Sequence, residues 1–267
     1  MSEFIEMVRG MSDGLLDFVS EGVILAMSVV VGLLILASLF SLGVSIYLAV
    51  NYVSYNKKRN SCGKTGEEIA RKILDRHDLG KIKVSKTGSI LFGNSYSHYF
   101  KKVRLRRLTW KKQSVTSLAM AAQKSALAVL DKENDPDMKK RIRLTPFIYF
   151  GPIAFVPMVI LGVFLDILLS TGFCGILLTV LGLVFYLLSF VMALLVLKTE
   201  KKAQKRAYDI MKEEGLATEE ELQSCQKLFR LYNIEYINDM VIALLELIYR
   251  VLQIVAYMQN SSASSSD

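Results

Sequence analysis

The sequence predicts a mainly α-helical membrane protein, with three or four transmembrane helices and a small α+β part on the cytoplasmic side. Three observations predict it. First, 52% of the 267 residues are hydrophobic, and they gather into long runs: residues 22–56, 144–165 and 167–197 contain no Asp, Glu, Lys or Arg. About 20 apolar residues suffice to cross a bilayer core. Second, the segment between the first two runs, Ser54 to Thr145, holds 23 Lys and Arg against 8 Asp and Glu. Basic residues flanking a span stay on the cytoplasmic side. Third, that basic segment mixes helical spacing with short period-two stretches, as a small α+β unit requires.

Taken in order, residues 1–21 form an acidic arm, with Glu3, Glu6, Asp13, Asp17 and Glu21 against Arg9 alone. A signal peptide begins with a basic region, so residues 22–53 are expected to remain as the first transmembrane helix. Residues 54–145 make the basic cytoplasmic segment. Residues 146–197 read as a transmembrane hairpin, with spans near 147–167 and 174–197; Asp166 is the single interruption and Ser170-Thr171-Gly172 the turn. Residues 198–235 are a cytoplasmic helical segment, whose Lys198, Lys201, Lys202, Lys205 and Arg206 crowd the membrane edge. Residues 236–258 form a closing hydrophobic helix, transmembrane or interfacial, and the Ser-rich tail 259–267 is expected to be disordered. The N-terminus and the Ser170 turn fall outside the cell membrane, and both polar segments fall inside.

Within residues 54–145, Thr65 is an N-cap with Glu68 as its capping-box partner, Ile69, Ile73 and Leu74 follow at helical spacing, and Gly80 ends the helix. Residues 81–84 and 103–106 alternate as half-buried strands, with Lys86-Thr87-Gly88-Ser89 as a hairpin turn. The loop Asp131–Asp137 breaks the next helix. Cys62, Cys174 and Cys225 follow no metal-ligand spacing and read as ordinary thiols. In the closing helix, Glu235, Asp239, Glu246, Arg250, Gln253 and Tyr257 lie within about 60° of one another at helical periodicity, which favours packing of that stripe on protein over a substrate groove.

The strip Lys101, Lys102, Arg104, Arg106, Arg107, Lys111 and Lys112 surrounds Trp110. It reads either as a solvated strand face or as a patch facing anionic membrane lipid, where each Lys or Arg contributes about 1 kcal/mol. Nucleic acid is not the expected partner, although a basic anchor that binds it stays an alternative.

Several blocks carry a family resemblance. Asn60-Ser61-Cys62-Gly63-Lys64-Thr65-Gly66-Glu67-Glu68-Ile69-Ala70-Arg71 follows the first apolar run. His98-Tyr99 and Val103-Arg104-Leu105 precede the helix at Ala121–Leu130. Glu200-Lys201-Lys202-Ala203-Gln204-Lys205-Arg206-Ala207 follows the hairpin, and Glu219-Glu220-Glu221-Leu222 precedes the closing helix. In order and spacing, from about Tyr52 to Met258, the chain resembles the YugP-like neutral zinc metallopeptidases, a family of bacterial membrane proteins. The resemblance implies a zincin-like cytoplasmic part and a zinc cofactor. It also implies a helix carrying H-E-x-x-H, two His at i and i+4 with a Glu between them to activate water, and a third ligand at the place of Glu200.

Those implied positions hold Gln123, Lys124 and Leu127 instead. A neutral amide, a cation and an alkyl group cannot replace two imidazoles and a general base, so the motif is degenerate. Glu200 alone retains ligand character, and a Lys124–Glu200 ion pair in the metal's place is one specific expectation. His77 and His98 are the chain's two histidines, and a rescue site from His98, Glu200 and a cysteine is the weaker alternative. Ser125 is adjacent to Lys124 and points about 100° away on a helix, which excludes a Ser–Lys dyad. The expectation is a pseudopeptidase without zinc or catalysis that binds a membrane-protein or peptide partner, or an active paralogue. The alternatives are an active membrane-bound zinc metallopeptidase with an unorthodox site, and the basic anchor protein.

Overall fold

The computed structural model describes residues 20–87, 93–145, 150–169 and 173–264. Its elements are α1 (Glu21–Lys57), α2 (Gly66–Arg76), β1 (Lys83–Thr87), β2 (Ser95–Ser97), β3 (Lys102–Arg106), α3 (Arg107–Trp110), α4 (Val115–Lys132), α5 (Pro136–Leu144), α6 (Phe150–Leu169), α7 (Phe173–Glu213) and α8 (Glu219–Ser264). The chain forms two compact units, one from Met1–Leu42, Tyr149–Phe190 and Asn238–Asp267, the other from Gly43–Ile148 and Val191–Ile237. Helices α1, α7 and α8 each run through both. The acidic arm up to residue 19, Gly88-Ser89, the Ser170-Thr171-Gly172 turn and the tail from residue 265 lie outside the described residues.

The first unit is built from apolar helix. Helices α1 and α7 are long and apolar enough to cross a membrane, and their outward residues, such as Leu36, Leu39, Phe40, Val180 and Val184, are exposed. Helix α6 contributes a shorter apolar stretch from Pro157 to Leu169. It meets α7 at two glycines: a Cβ on Gly162 would lie 2.8 Å from the Cα of Gly175. Small residues at such a crossing let two backbones approach. Asp166, the charge that interrupts the apolar run, accepts hydrogen bonds from the Cys174 N–H at 2.7 Å and the Gly175 N–H at 2.7 Å. It therefore satisfies donors that the start of α7 leaves unpaired.

The polar stripe of α8 finds protein partners. Glu246 accepts from the Tyr186 hydroxyl, and Arg250 donates to Gln253 at 3.0 Å. In the other unit, Glu235 accepts from Ser45 at 3.0 Å. The side chain of Tyr257 lies outside what is described.

The second unit has one core, centred on α4. Every residue from Val115 to Leu130 is buried, which makes α4 a central helix covered on all sides. Ile69, Ile73 and Leu74 of α2 pack on it, as do Leu105 of β3, Ile210 and Met211 of α7, and Leu222 and Leu228 of α8. Helix α2 starts as the sequence predicts, with Thr65 and Glu68 in a reciprocal capping box. It ends earlier than Gly80 would place it, because His77 is the C-cap and Asp78 turns the chain with φ 52°.

The sheet departs from the expected hairpin. Lys86 and Thr87 extend β1, which pairs with β3 in parallel, while β2 pairs with β3 antiparallel. The crossing through β2 returns the chain in the direction of β1, and this puts Val103 and Leu105 in the core. The expected loop at Asp131–Asp137 is only a short break: Asp135 caps a further helix, α5, by accepting from the Asp137 and Met138 N–H groups. Residues 198–213 simply continue α7, and residues 219–235 begin α8.

Gly66 fixes how α2 meets α3. A Cβ there would lie 2.1 Å from the Thr109 carbonyl oxygen, and that backbone cannot rotate away. Gly66→Ala is expected to destabilise the second unit by about 1–3 kcal/mol, the usual cost of overpacking. A lowered thermal midpoint of the purified full chain checks this; an unchanged midpoint would mean that the contact is loose.

Candidate functional site

The residues that the sequence singles out converge on one buried carboxylate. Glu200, on α7, is 2% exposed. Its Oε2 accepts from the Lys124 ammonium at 2.8 Å and from the Gln123 side-chain amide at 2.8 Å. Its Oε1 accepts from Arg141 of α5 at 3.1 Å, and Arg141 also donates to the Thr199 hydroxyl at 2.7 Å. Both oxygens are thus engaged, by two cations and one amide. Lys124 and Gln123 are themselves 6% and 2% exposed, and Leu127, one turn on, is buried. The expected Lys124–Glu200 pair is present.

Local structure explains the convergence. Helix α4 is fixed at its start by Ser114, which accepts from the Ser117 N–H and donates to Asn56 at 2.7 Å. Thr116 donates to the Tyr52 carbonyl oxygen at 3.0 Å. The segment of α7 that carries Glu200 is clamped to the start of α5 by ion pairs: Lys198 to Asp137 at 2.9 Å, Lys202 to Asp135 at 2.7 Å and to Asp137 at 2.5 Å. The hydrogen bonds from Lys202 and Lys198 hold the Asp137 carboxyl below its ordinary value. Arg206 adds a pair with Glu133 at 2.8 Å. The block at Asn60–Ser61 is held by Glu221, which accepts from the Ser61 N–H and hydroxyl at 2.6 Å each.

Burial alone would raise the Glu200 pKa. The charges of Lys124 and Arg141 and their hydrogen bonds outweigh it and hold the carboxyl below its ordinary 4.5. A depressed native pKa contributes stability above the unfolded value that is lost as pH falls through the native one. The ion pair is therefore intact at neutral pH.

Zinc is the cofactor that the sequence resemblance implies, and these donors do not fit it. A catalytic zinc takes three His, Cys, Asp or Glu ligands and keeps one open position. Here Gln123 turns its amide N–H to the carboxylate, Leu127 has no donor, and Lys124 puts an ammionium nitrogen within bonding distance of the one remaining carboxylate. Among the described residues no group of three or more His, Cys, Asp or Glu side chains comes together. His98 is not brought to Glu200; its Nδ1 meets Asp131 at 2.6 Å, and Tyr96 donates to the same oxygen at 2.5 Å. Cys225 is buried, which pushes its thiol up to about 12, and Cys62 contacts Asn60.

A cavity of about 120 Å³ opens beside Gln123 and Lys124, lined also by Arg106, Met120, Tyr232 and Tyr236 among others. Of the basic strip, Lys102, Arg104 and Arg106 alternate along β3 with the buried Val103 and Leu105, and Arg107, Lys111 and Lys112 are exposed. Three of the strip's seven residues thus share one face of a strand. Arg141 escaped the sequence reading because nothing distinguishes it from its neighbours Lys139, Lys140 and Arg143. Asp131 was legible only as a helix-breaking acid.

Replacing Lys124 with Met leaves Glu200 buried with Arg141 as its only cation. The variant is expected to lose about 3 kcal/mol, the scale for breaking a buried pair, and Glu200→Gln in the same chain should restore part of it. Chemical denaturation of the three proteins checks this; a silent Lys124→Met would show that the pair does not hold the helices.

A profile described as "Putative neutral zinc metallopeptidase" matches residues 30–255. The chain is also 25% identical over 228 residues to the "Putative membrane protease YugP" of Bacillus subtilis (strain 168), covering 82% of this chain and 96% of that protein. No solved structure matches. The match runs from the first apolar helix through the α4 and α7 blocks into α8, and by it the chain belongs to the putative neutral zinc metallopeptidase family.

Proposed function

We propose that this chain is a membrane-anchored pseudopeptidase, which keeps the scaffold of its family and uses the degenerate site to hold a peptide or a membrane-protein segment without cutting it. One observation carries the reading: the Lys124 ammonium lies 2.8 Å from Glu200, so a fixed protein cation stands where the family pattern calls for a metal. A general base is lost by the same substitution, because an ammonium cannot accept the proton of an attacking water. The adjacent cavity, lined by Tyr232, Tyr236 and Arg106 among others, has the mix of aromatic and charged groups that captures an extended segment. An active relative is one such partner.

The proposed setting is multi-pass: α1 and α7 cross the membrane, α6 completes a hairpin with α7, and α8 enters as a fourth apolar helix. The basic segment between α1 and α6 supports a cytoplasmic second unit and an acidic N-terminal arm outside. There the second unit would act as a zincin-like body beside the bilayer.

The triple variant Gln123→His, Lys124→Glu, Leu127→His rebuilds the ligand pattern on the existing helix. It is expected to retain about one zinc per chain after purification, held with Glu200, while the wild-type chain cleaves no fluorogenic peptide with or without added zinc. Chelator-sensitive turnover by the wild type would overturn the reading and return the chain to the working peptidases.

A further inference from the structure

The larger cavity of the second unit is separate from the degenerate motif. It encloses about 410 Å³ and is lined by Lys81, Tyr96, His98, Lys101, Asp131 and Lys132, with Asp78, Leu79, Ile82 and Ala128. Its volume lies in the range of small-ligand sites. Asp131 accepts from both His98 Nδ1 at 2.6 Å and the Tyr96 hydroxyl at 2.5 Å. A carboxylate on Nδ1 keeps a proton there, and in that tautomer Nε2 is the acceptor. On the rim, Lys132 is committed to the His77 carbonyl oxygen at 2.6 Å and to Asp78 at 3.2 Å. Among the described residues Lys81 and Lys101 have no ion-pair partner.

The cavity wall therefore carries two lysines without an ion-pair partner among the described residues, together with a hydrogen-bond acceptor. That pattern suits an anion attached to a hydroxylated group. Two of its lining residues, Asp78 and Lys101, hold left-handed backbone with φ 52° and 43°, a conformation that costs non-glycine residues energy and recurs at ligand clamps.

The chain between His98 and Lys101 says which anion. Tyr99 and Phe100 are 58% and 67% exposed, and they stand directly between two residues of the cavity wall. Arg104 stacks over the Phe100 ring at 5.6 Å. Tyr99 donates to the Ile142 carbonyl oxygen at 2.9 Å, in the last turn of α5. The basic α5 is followed in the chain by the apolar helix that starts at Phe150. Exposed aromatics flanked by lysines, tied to a basic helix that leads into an apolar one, are the features of a segment lying at a membrane interface.

We propose that this cavity binds the headgroup of an anionic phospholipid, with Lys81 and Lys101 on the phosphodiester, His98 Nε2 accepting from a headgroup hydroxyl, and Tyr99 and Phe100 among the acyl-chain ends. This is a defined lipid site, distinct from the diffuse attraction of a basic strip, and it does not depend on whether the degenerate motif binds a partner.

Native mass spectrometry of the full chain, released from detergent with phosphatidylglycerol or phosphatidylcholine added, tests it. The wild type is expected to retain one phosphatidylglycerol about tenfold more tightly than phosphatidylcholine. That preference should disappear in Lys81→Ala/Lys101→Ala and in His98→Gln and persist in Lys111→Ala/Lys112→Ala, which removes two charges outside the cavity. The lysine variants change exposed side chains, so they keep the test valid if His98→Gln fails to fold. Equal retention of the two lipids would overturn the proposal, as would an equal loss from Lys111→Ala/Lys112→Ala. If sn-glycerol 3-phosphate alone raises the thermal midpoint as much as the lipid does, the ligand is a soluble phosphate ester and the lipid assignment fails.

Discussion

A carboxylate removed from water must be paired, and the pairing of Glu200 organises the second unit. An uncompensated charge at that depth would cost several kcal/mol, and three elements supply what it needs. Helix α4 brings Lys124 and Gln123, α5 brings Arg141, and α7 brings the carboxylate itself. Because the donors come from two helices, α4 and α5, the fold of α5 onto α7 and the burial of α4 are conditions for the same contact. The outer clamp of Asp135, Asp137, Lys198 and Lys202 sets the depth of α7 against α5 from the solvent side. A metal ion would perform the same service for a His pair and a Glu by neutralising and cross-linking them; here a lysine does so without offering an open coordination position.

The helical part of this arrangement was legible in the sequence because its signals are local. Thr65 and Glu68 announce a capping box within one turn, and uncharged runs announce apolar helices by composition alone. The Lys124–Glu200 pair was legible for a different reason: a family pattern already puts those positions side by side, and the substituted residues have opposite charge. What could not be read was what depends on long-range geometry. The parallel pairing of β1 with β3 needs a crossover, and a glycine near the end of β1 resembles the turn of a hairpin equally well. Helix α5 was hidden in an Asp-rich stretch where Asp135-Pro136 signals a helix start as readily as a loop. Arg141 is one base in a run of four, and only the packing of α5 selects it for Glu200.

Two cavities of the second unit lie along α4. Arg106, Tyr232 and Tyr236 line a small space beside Gln123 and Lys124. The Asp131–His98–Tyr96 cluster lines the other cavity, toward the C-terminal end of α4. A single buried helix thus supports both, with Gln123 and Lys124 toward one cavity and Ala128 and Asp131 toward the other.

If the Lys124–Glu200 pair stands in for a metal, the protein binds no zinc. Zinc per chain, by elemental analysis on detergent-purified wild-type protein that carries no metal-binding tag, measures this. A value near zero, unchanged in Glu200→Ala, is expected. A value near one that falls in Glu200→Ala would mean that the carboxylate ligates an ion after all, and that Lys124 does not occupy its position.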